Sequence, residues 1–165
     1  MKECRNTTYG EIGLMYDPQG ARGALKSAGY ENGEGFPEIE LVYYSPNNDE
    51  FAAKIIDDLK EVLNIDIKGS PYTDSESFYA AAASAAPVMY MVGWTADQMD
   101  PHNFLFEPFG AEYPYDSDAF FDLVNQAAQM TDDPAARLMK YIEAEEILCE
   151  MDVRLIPLNN FLIAK

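Results

Sequence analysis

A strand–helix–strand–helix–strand rhythm between residues 39 and 92 constrains this chain more than any other feature. Leu41, Val42, Tyr43 and Tyr44 make an apolar, β-favouring run at 39–44, suited to a pleated and covered position. Ser45-Pro46-Asn47-Asn48 is a turn that also caps the next helix. From 49 to 63, Phe51, Ala52, Ile55, Ile56, Leu59, Val62 and Leu63 recur at helical spacing, with Lys54, Asp57, Asp58, Lys60 and Glu61 largely opposite. Ile65 and Ile67 alternate in a short strand at 65–70. Thr73-Asp74-Ser75-Glu76 opens an alanine-rich helix running to about Ala85, and Pro87 stops it. Val88-Met89-Tyr90-Met91-Val92 is apolar on both faces, which predicts a central strand covered on both sides. A β-α-β-α-β order implies parallel strands joined by right-handed crossovers. The fold class is therefore α/β, a mostly parallel sheet with helices on both faces.

The flanks extend this pattern. Asp17 and Pro18 start a helix as N-cap and first turn, Ala21, Ala24, Leu25 and Ala28 continue it, and Gly29 ends it. A Gly- and Pro-rich loop at 32–37 leads to the first strand. After the third strand comes an irregular stretch at 95–115, rich in Pro, Gly and aromatics; loops this long inside a compact domain are usually functional. Asp116-Ser117-Asp118 and Thr131-Asp132-Asp133-Pro134 cap two further helices. The second carries Glu143, Glu145 and Glu146 on a mostly solvated face and Cys149 at an apolar position. A final strand at 154–158 contains Pro157, which lacks a donor and points to a sheet edge. Residues 1–15 read as an irregular N-terminal segment and 16–165 as a single α/β domain.

Composition removes several function classes. The 165 residues carry 29 Asp and Glu against 11 Lys and Arg, a net charge of −18, whereas nucleic-acid binding needs a basic footprint. Anionic membrane surfaces are disfavoured for the same reason, and no apolar run approaches the ~18–20 residues that span a bilayer. Cys4, Cys149 and the single histidine, His102, form no disulfide framework or zinc pattern. No metal or cofactor is expected. Met1-Lys2-Glu3-Cys4-Arg5-Asn6 is polar with no apolar stretch behind it. The expectation is no signal peptide, in either a cytoplasmic protein or a piece of a longer precursor.

Ligands of open α/β sheets sit beyond the carboxyl ends of the strands. The third predicted strand ends at Gly93-Trp94, and Thr95-Ala96-Asp97 follows at once. Trp94 can stack on a ligand or a ligand cation, and Asp97 can pair with an ammonium or guanidinium group. Equally, Trp94 can fill the edge of the core while Asp97 caps a turn through its own backbone. Asp100-Pro101-His102-Asn103-Phe104-Leu105 reads as structural: Asp100 caps a short helix, Pro101 takes its first position, and Phe104 and Leu105 anchor it. His102 has no nucleophile in a recognisable context. Asp97 and Asp100 as an acid–base pair need a separation that a loop does not guarantee. No catalytic residues are assigned, and the chain is read as a binder and not an enzyme.

The same residues carry a family resemblance. Tyr16-Asp17-Pro18, Ala28-Gly29-Tyr30, Phe36-Pro37-Glu38-Ile39-Glu40-Leu41, the run from Gly93 to Leu105, Phe121-Asp122-Leu123-Val124-Asn125-Gln126-Ala127, Ala144-Glu145-Glu146-Ile147-Leu148 and Ile156-Pro157-Leu158 occur in an order that resembles the C-terminal lobe of family 5 extracellular solute-binding proteins. These are the oligopeptide-, dipeptide- and nickel-binding receptors of ABC importers. The resemblance implies a periplasmic-binding-protein-like lobe of a two-lobed receptor, periplasmic or a cell-surface lipoprotein in its parent. It implies a cleft closed by a missing N-terminal lobe, and ABC-importer membrane subunits as partners. Peptide-binding members use the aspartate of a Gly-Trp-x-x-Asp segment for the peptide's α-amino group, which is Asp97 here. Trp94 and the backbone around Thr95 and Ala96 then line the same wall. Two other readings stand beside this one. A small stand-alone α/β hydrolase needs a nucleophile–base pair, and a sensor domain would reuse the lobe without transport.

Overall fold

The computed structural model describes residues 12–83, 88–113 and 115–158. Most of the expected irregular segment before Tyr16, and the expected helix end at Ala85 with its stop at Pro87, lie outside the described residues. Contacts gather into two compact units, one of residues 16–93 and one of residues 94–158 with 12–15.

In the first unit, α1 (Pro18–Ser27) begins where Asp17 accepts a hydrogen bond from the Gly20 amide, the N-cap role the sequence assigns it. Strand β1 (Ile39–Tyr44), α2 (Asp49–Leu63), β2 (Ile67–Tyr72), α3 (Ser75–Ala82) and β3 (Val88–Tyr90) follow. The three strands form one parallel sheet in the order β2-β1-β3. Glu40 pairs with Lys68 on one side and with Val88 on the other. The chain steps one way from β1 to β2 and the other way from β2 to β3, so right-handed crossovers put the two connecting helices on opposite faces. Side chains agree. Leu41 packs with Ala52, Ile65 and Ile67 on the α2 face, whereas Tyr44 meets Phe78 of α3, ring centroids 6.1 Å apart. Val42, on that same face, is fully buried.

A tight junction closes α2. Asn64 takes the left-handed conformation as C-cap, φ 56°, and its side chain donates to the Asn32 carbonyl at 2.9 Å. Gly33, φ 79°, comes so close that a β-carbon there would lie 2.5 Å from the Asn64 carbonyl oxygen. Only glycine meets both demands.

Several expectations need correction. β2 starts two residues later than its alternating isoleucines predict, with Ile65 buried in the connection. β1 and not β3 is central, and the β3 ladder stops at Tyr90, after which only the Met91 amide still donates to Val42. Residues 154–158 form no strand: among the described residues they find no ladder partner, and Ile156 and Leu158 are exposed. There the chain leaves a helical turn through Val153 at φ 46°, and the Arg154 amide returns to the Leu148 carbonyl at 2.8 Å. That is a helix-ending loop made without the usual glycine.

The second unit is helical. The stretch expected to be irregular at 95–115 contains a short helix, α4 (Pro101–Leu105), and a single wide turn, Pro108–Glu112. α5 (Asp118–Gln129) and α6 (Pro134–Glu146) pack together. Phe120, Val124 and Ala127 of α5 and Tyr141, Ile142 and Ala144 of α6 are buried, with Leu148 and Cys149 from the turn after α6. The Phe120 ring lies edge-on to Phe109, Tyr115 and Phe121, at 5.0 to 6.2 Å in this aromatic group. Asp133 caps α6 by accepting from the Ala135 and Ala136 amides. Burial pushes the Cys149 thiol up to about 12, as befits a small core residue. Glu145 departs from the solvated face assigned to it, since burial raises its carboxyl above the ordinary value.

Candidate functional site

The segment after β3 is held from one point. Asn103, on α4, is the buried polar residue of the described core. Its carboxamide oxygen accepts the Trp94 indole N–H at 3.2 Å and the Asp97 backbone N–H at 3.1 Å. Both lone pairs of that oxygen are therefore filled. Trp94 and Ala96 are half-buried, and Thr95 and Asp97 are exposed. The Asp97 carboxylate forms no hydrogen bond or ion pair among the described residues, while its amide is anchored. An exposed carboxylate on an anchored backbone beside a half-buried indole can receive a cationic group with little rearrangement.

Asp100, three residues on, has the opposite character. It accepts from the His102 amide at 2.9 Å, capping α4 as the sequence indicates, and from the Arg137 guanidinium at 2.8 Å. The Arg137 hydrogen bond holds the Asp100 carboxyl below its ordinary value against the opposing effect of burial. Arg137 also donates to the Ala127 carbonyl at 3.1 Å and to the Tyr141 hydroxyl at 2.9 Å, and its carbon lies 4.9 Å from the Tyr141 ring centre. The two aspartates thus do different work: Asp100 fastens α4 to α6, and Asp97 is available.

His102 stacks on Phe106 with ring centroids 4.9 Å apart, and its Nδ1 is buried without a partner among the described residues. Leu105 is buried as expected, but Phe104 is half exposed and does not anchor α4. A cavity of about 250 Å³ near this helix is walled by Gln98, Asp100, Asn103, Glu107 and Arg137 among others, and neither Trp94 nor Asp97 lines it. Two of its charges, Asp100 and Arg137, pair with each other. Among the described residues no group of three or more His, Cys, Asp or Glu is gathered to hold a metal ion.

Asn103 was the residue that sequence reasoning passed over. No local pattern marks it, because the two donors it accepts from lie six and nine residues back along the chain.

Residues 4–115 match the model of the bacterial extracellular solute-binding proteins, family 5 Middle. The chain belongs to this family. Its resemblance on the Gly93-to-Leu105 run and the flanking motifs is therefore a family relationship, and the parallel α/β architecture fits it. The dipeptide-binding protein of Escherichia coli (strain K12) is 31% identical over 144 residues, covering 81% of this chain and 26% of that protein. Among solved structures, a periplasmic oligopeptide-binding protein/oligopeptide ABC transporter from Borrelia burgdorferi superposes with a TM-score of 0.73 at 24% identity, over 84% of this chain and 29% of that one. The substrate-binding domain of an oligopeptide ABC transporter from Bacillus anthracis str. Ames gives a TM-score of 0.71 at 21% identity, over 88% and 29%. At such identities the structures speak for the fold. The family 5 chain described here spans about a quarter of the length of these relatives. The family is one of extracellular solute-binding proteins.

Proposed function

We propose that this chain forms part of the ligand-binding region of an ABC-importer receptor for peptides, with residues 16–165 contributing to one of two lobes. Asp97 is the ligand's ammonium partner: its carboxylate pairs with the α-amino group of a bound peptide. Trp94, Thr95 and Ala96 line the wall beside it. The observation that carries this reading is the exposed Asp97 carboxylate, without a partner among the described residues, on a backbone anchored by Asn103. The names of the relatives, dipeptide-binding and oligopeptide-binding, support a peptide as the ligand class. The remainder of the receptor closes the cleft, and importer membrane subunits receive the cargo. The receptor works outside the cytoplasm, in the periplasm or as a cell-surface lipoprotein.

The hydrolase reading has little support. The Cys149 thiol is buried and held protonated, and Asp100 is committed to Arg137. Calorimetric titration of short peptides into the longest natural form of the protein tests the proposal. Asp97→Ala is expected to weaken binding by at least about 30-fold, the lower end for removing one partner of a desolvated charge pair. N-acetylated peptides should bind the unaltered protein as poorly. Equal affinity with and without the Asp97 carboxylate would refute the role.

A further inference from the structure

We infer that Asn103 is the positioning residue of the Trp94–Asp97 segment, one carboxamide oxygen fixing both the indole ring and the backbone that presents the Asp97 carboxylate. The inference rests on the reading of Asp97 given above.

Asn103 is 7% exposed, and buried polar side chains require partners. The partners here are an indole N–H at 3.2 Å and a main-chain N–H at 3.1 Å, nine and six residues back along the chain. Neither belongs to the helix that carries Asn103. The contact therefore ties a loop to α4 and is not a cap or a turn closing on itself. The anchor is itself secured. Asp100 caps the helix through the His102 amide, the Asn103 amide donates to the Asp100 carbonyl at 3.1 Å, and Arg137 reaches Asp100 from α6. A continuous line of polar contacts thus runs from α6 through Asp100 and α4 to Trp94 and Asp97. An apolar side chain of similar size at 103 would strand both donors, each at the cost of an unmade buried bond. Ring and carboxylate would then be free to turn independently, and a pre-set ammonium site would become one that must be ordered on binding.

Trp94 is the only tryptophan of the chain, so one indole N–H resonance reports the clamp. In the ligand-free protein that proton should exchange slowly. Asn103→Leu should move its resonance and speed exchange by about tenfold or more, the value of one lost hydrogen bond. Asn103→Asp keeps the accepting oxygen and should restore both. Unchanged exchange in Asn103→Leu overturns the inference. If that variant does not fold, Asn103→Gln displaces the same carboxamide by one methylene and should shift the resonance; an unmoved resonance overturns the inference equally. Peptide affinity then separates the two proposals. Asn103→Leu should lower it about tenfold while Asn103→Asp keeps it, and affinity unaffected by Asn103→Leu but lost in Asp97→Ala overturns the positioning role. Affinity unaffected by Asp97→Ala instead removes the ammonium reading, and the indole exchange still decides the clamp.

Discussion

Replacing Arg137 by methionine should loosen the helical unit by an amount that can be worked out from its contacts. The guanidinium donates to Asp100, to the Ala127 carbonyl and to the Tyr141 hydroxyl, and lies over the Tyr141 ring. Methionine preserves much of the aliphatic stem, so the loss is mainly polar. A hydrogen bond to a charged group contributes about 1.5–3 kcal/mol and a neutral one about 0.5–1.5 kcal/mol. The Arg137 and Asp100 side chains are 26% and 33% exposed, so screening puts the ion pair at or below the low end of its range. The sum is about 2–3 kcal/mol. Urea unfolding followed by Trp94 fluorescence is the assay, because Trp94 and Arg137 belong to the same compact unit. A double-mutant cycle with Asp100→Asn, which keeps an acceptor for the His102 amide, isolates the pair. The pH dependence has a definite sign. The folded Asp100 carboxyl lies below its ordinary value, so its contribution is fully present above that ordinary value and is lost as pH falls through the lower, folded one. The coupling should therefore be about 0.5–1.5 kcal/mol at neutral pH and approach zero in strong acid. A cost below about 0.5 kcal/mol, or a coupling as large in acid as at neutrality, would refute the assignment.

Two further outcomes follow from the same unit. Val153 holds φ 46° while 42% exposed, so Val153→Gly relieves a strained β-branched residue and should stabilise the protein by about 0.5–1 kcal/mol despite glycine's greater unfolded freedom. A fall in the thermal midpoint would contradict this. Cys149, its thiol pushed up to about 12 by burial, should resist a thiol reagent at pH ~8 until the chain is unfolded; peptide mapping separates it from Cys4, and rapid labelling in the native protein would show the burial to be wrong.

What the sequence revealed and what it hid divide along physical lines. Asp17, Asp74, Asp100 and Asp133 accept the amide hydrogen bonds of N-caps, because capping needs only a few neighbouring residues, whereas Asn48 before α2 and Ser117 before α5 take the cap position with no side-chain capping bond. The apolar stripe of α2 marks a helix of the expected bounds, because helical period is a property of the segment itself. Strand order is not local. Val88-Met89-Tyr90 looks central by composition, yet β1 has both neighbours, and Pro71 fits β2, which among the described residues has a partner on one side only. Leu155-Ile156 reads as a strand by propensity, but a strand exists only through its partner, and none lies among the described residues. In the candidate site, Trp94 and Asp97 stand out in the sequence by their place after an apolar run, whereas Asn103 stands out only once two donors are seen to converge on one oxygen.

Among the described residues the sheet of the first unit contains no hairpin. Glu40 pairs with Lys68 and Val88, each reached only after a helix has been laid down. Its central strand is also its first, so Leu41 and Val42 must wait, uncovered, for segments synthesised later. Parallel pairing of this kind pays its loop-closure entropy before any ladder bond forms, which slows folding and leaves an apolar strand open to other chains meanwhile. The net charge of −18 gains a second meaning in that interval. Mutual repulsion keeps half-made sheets apart while each finds its own strands.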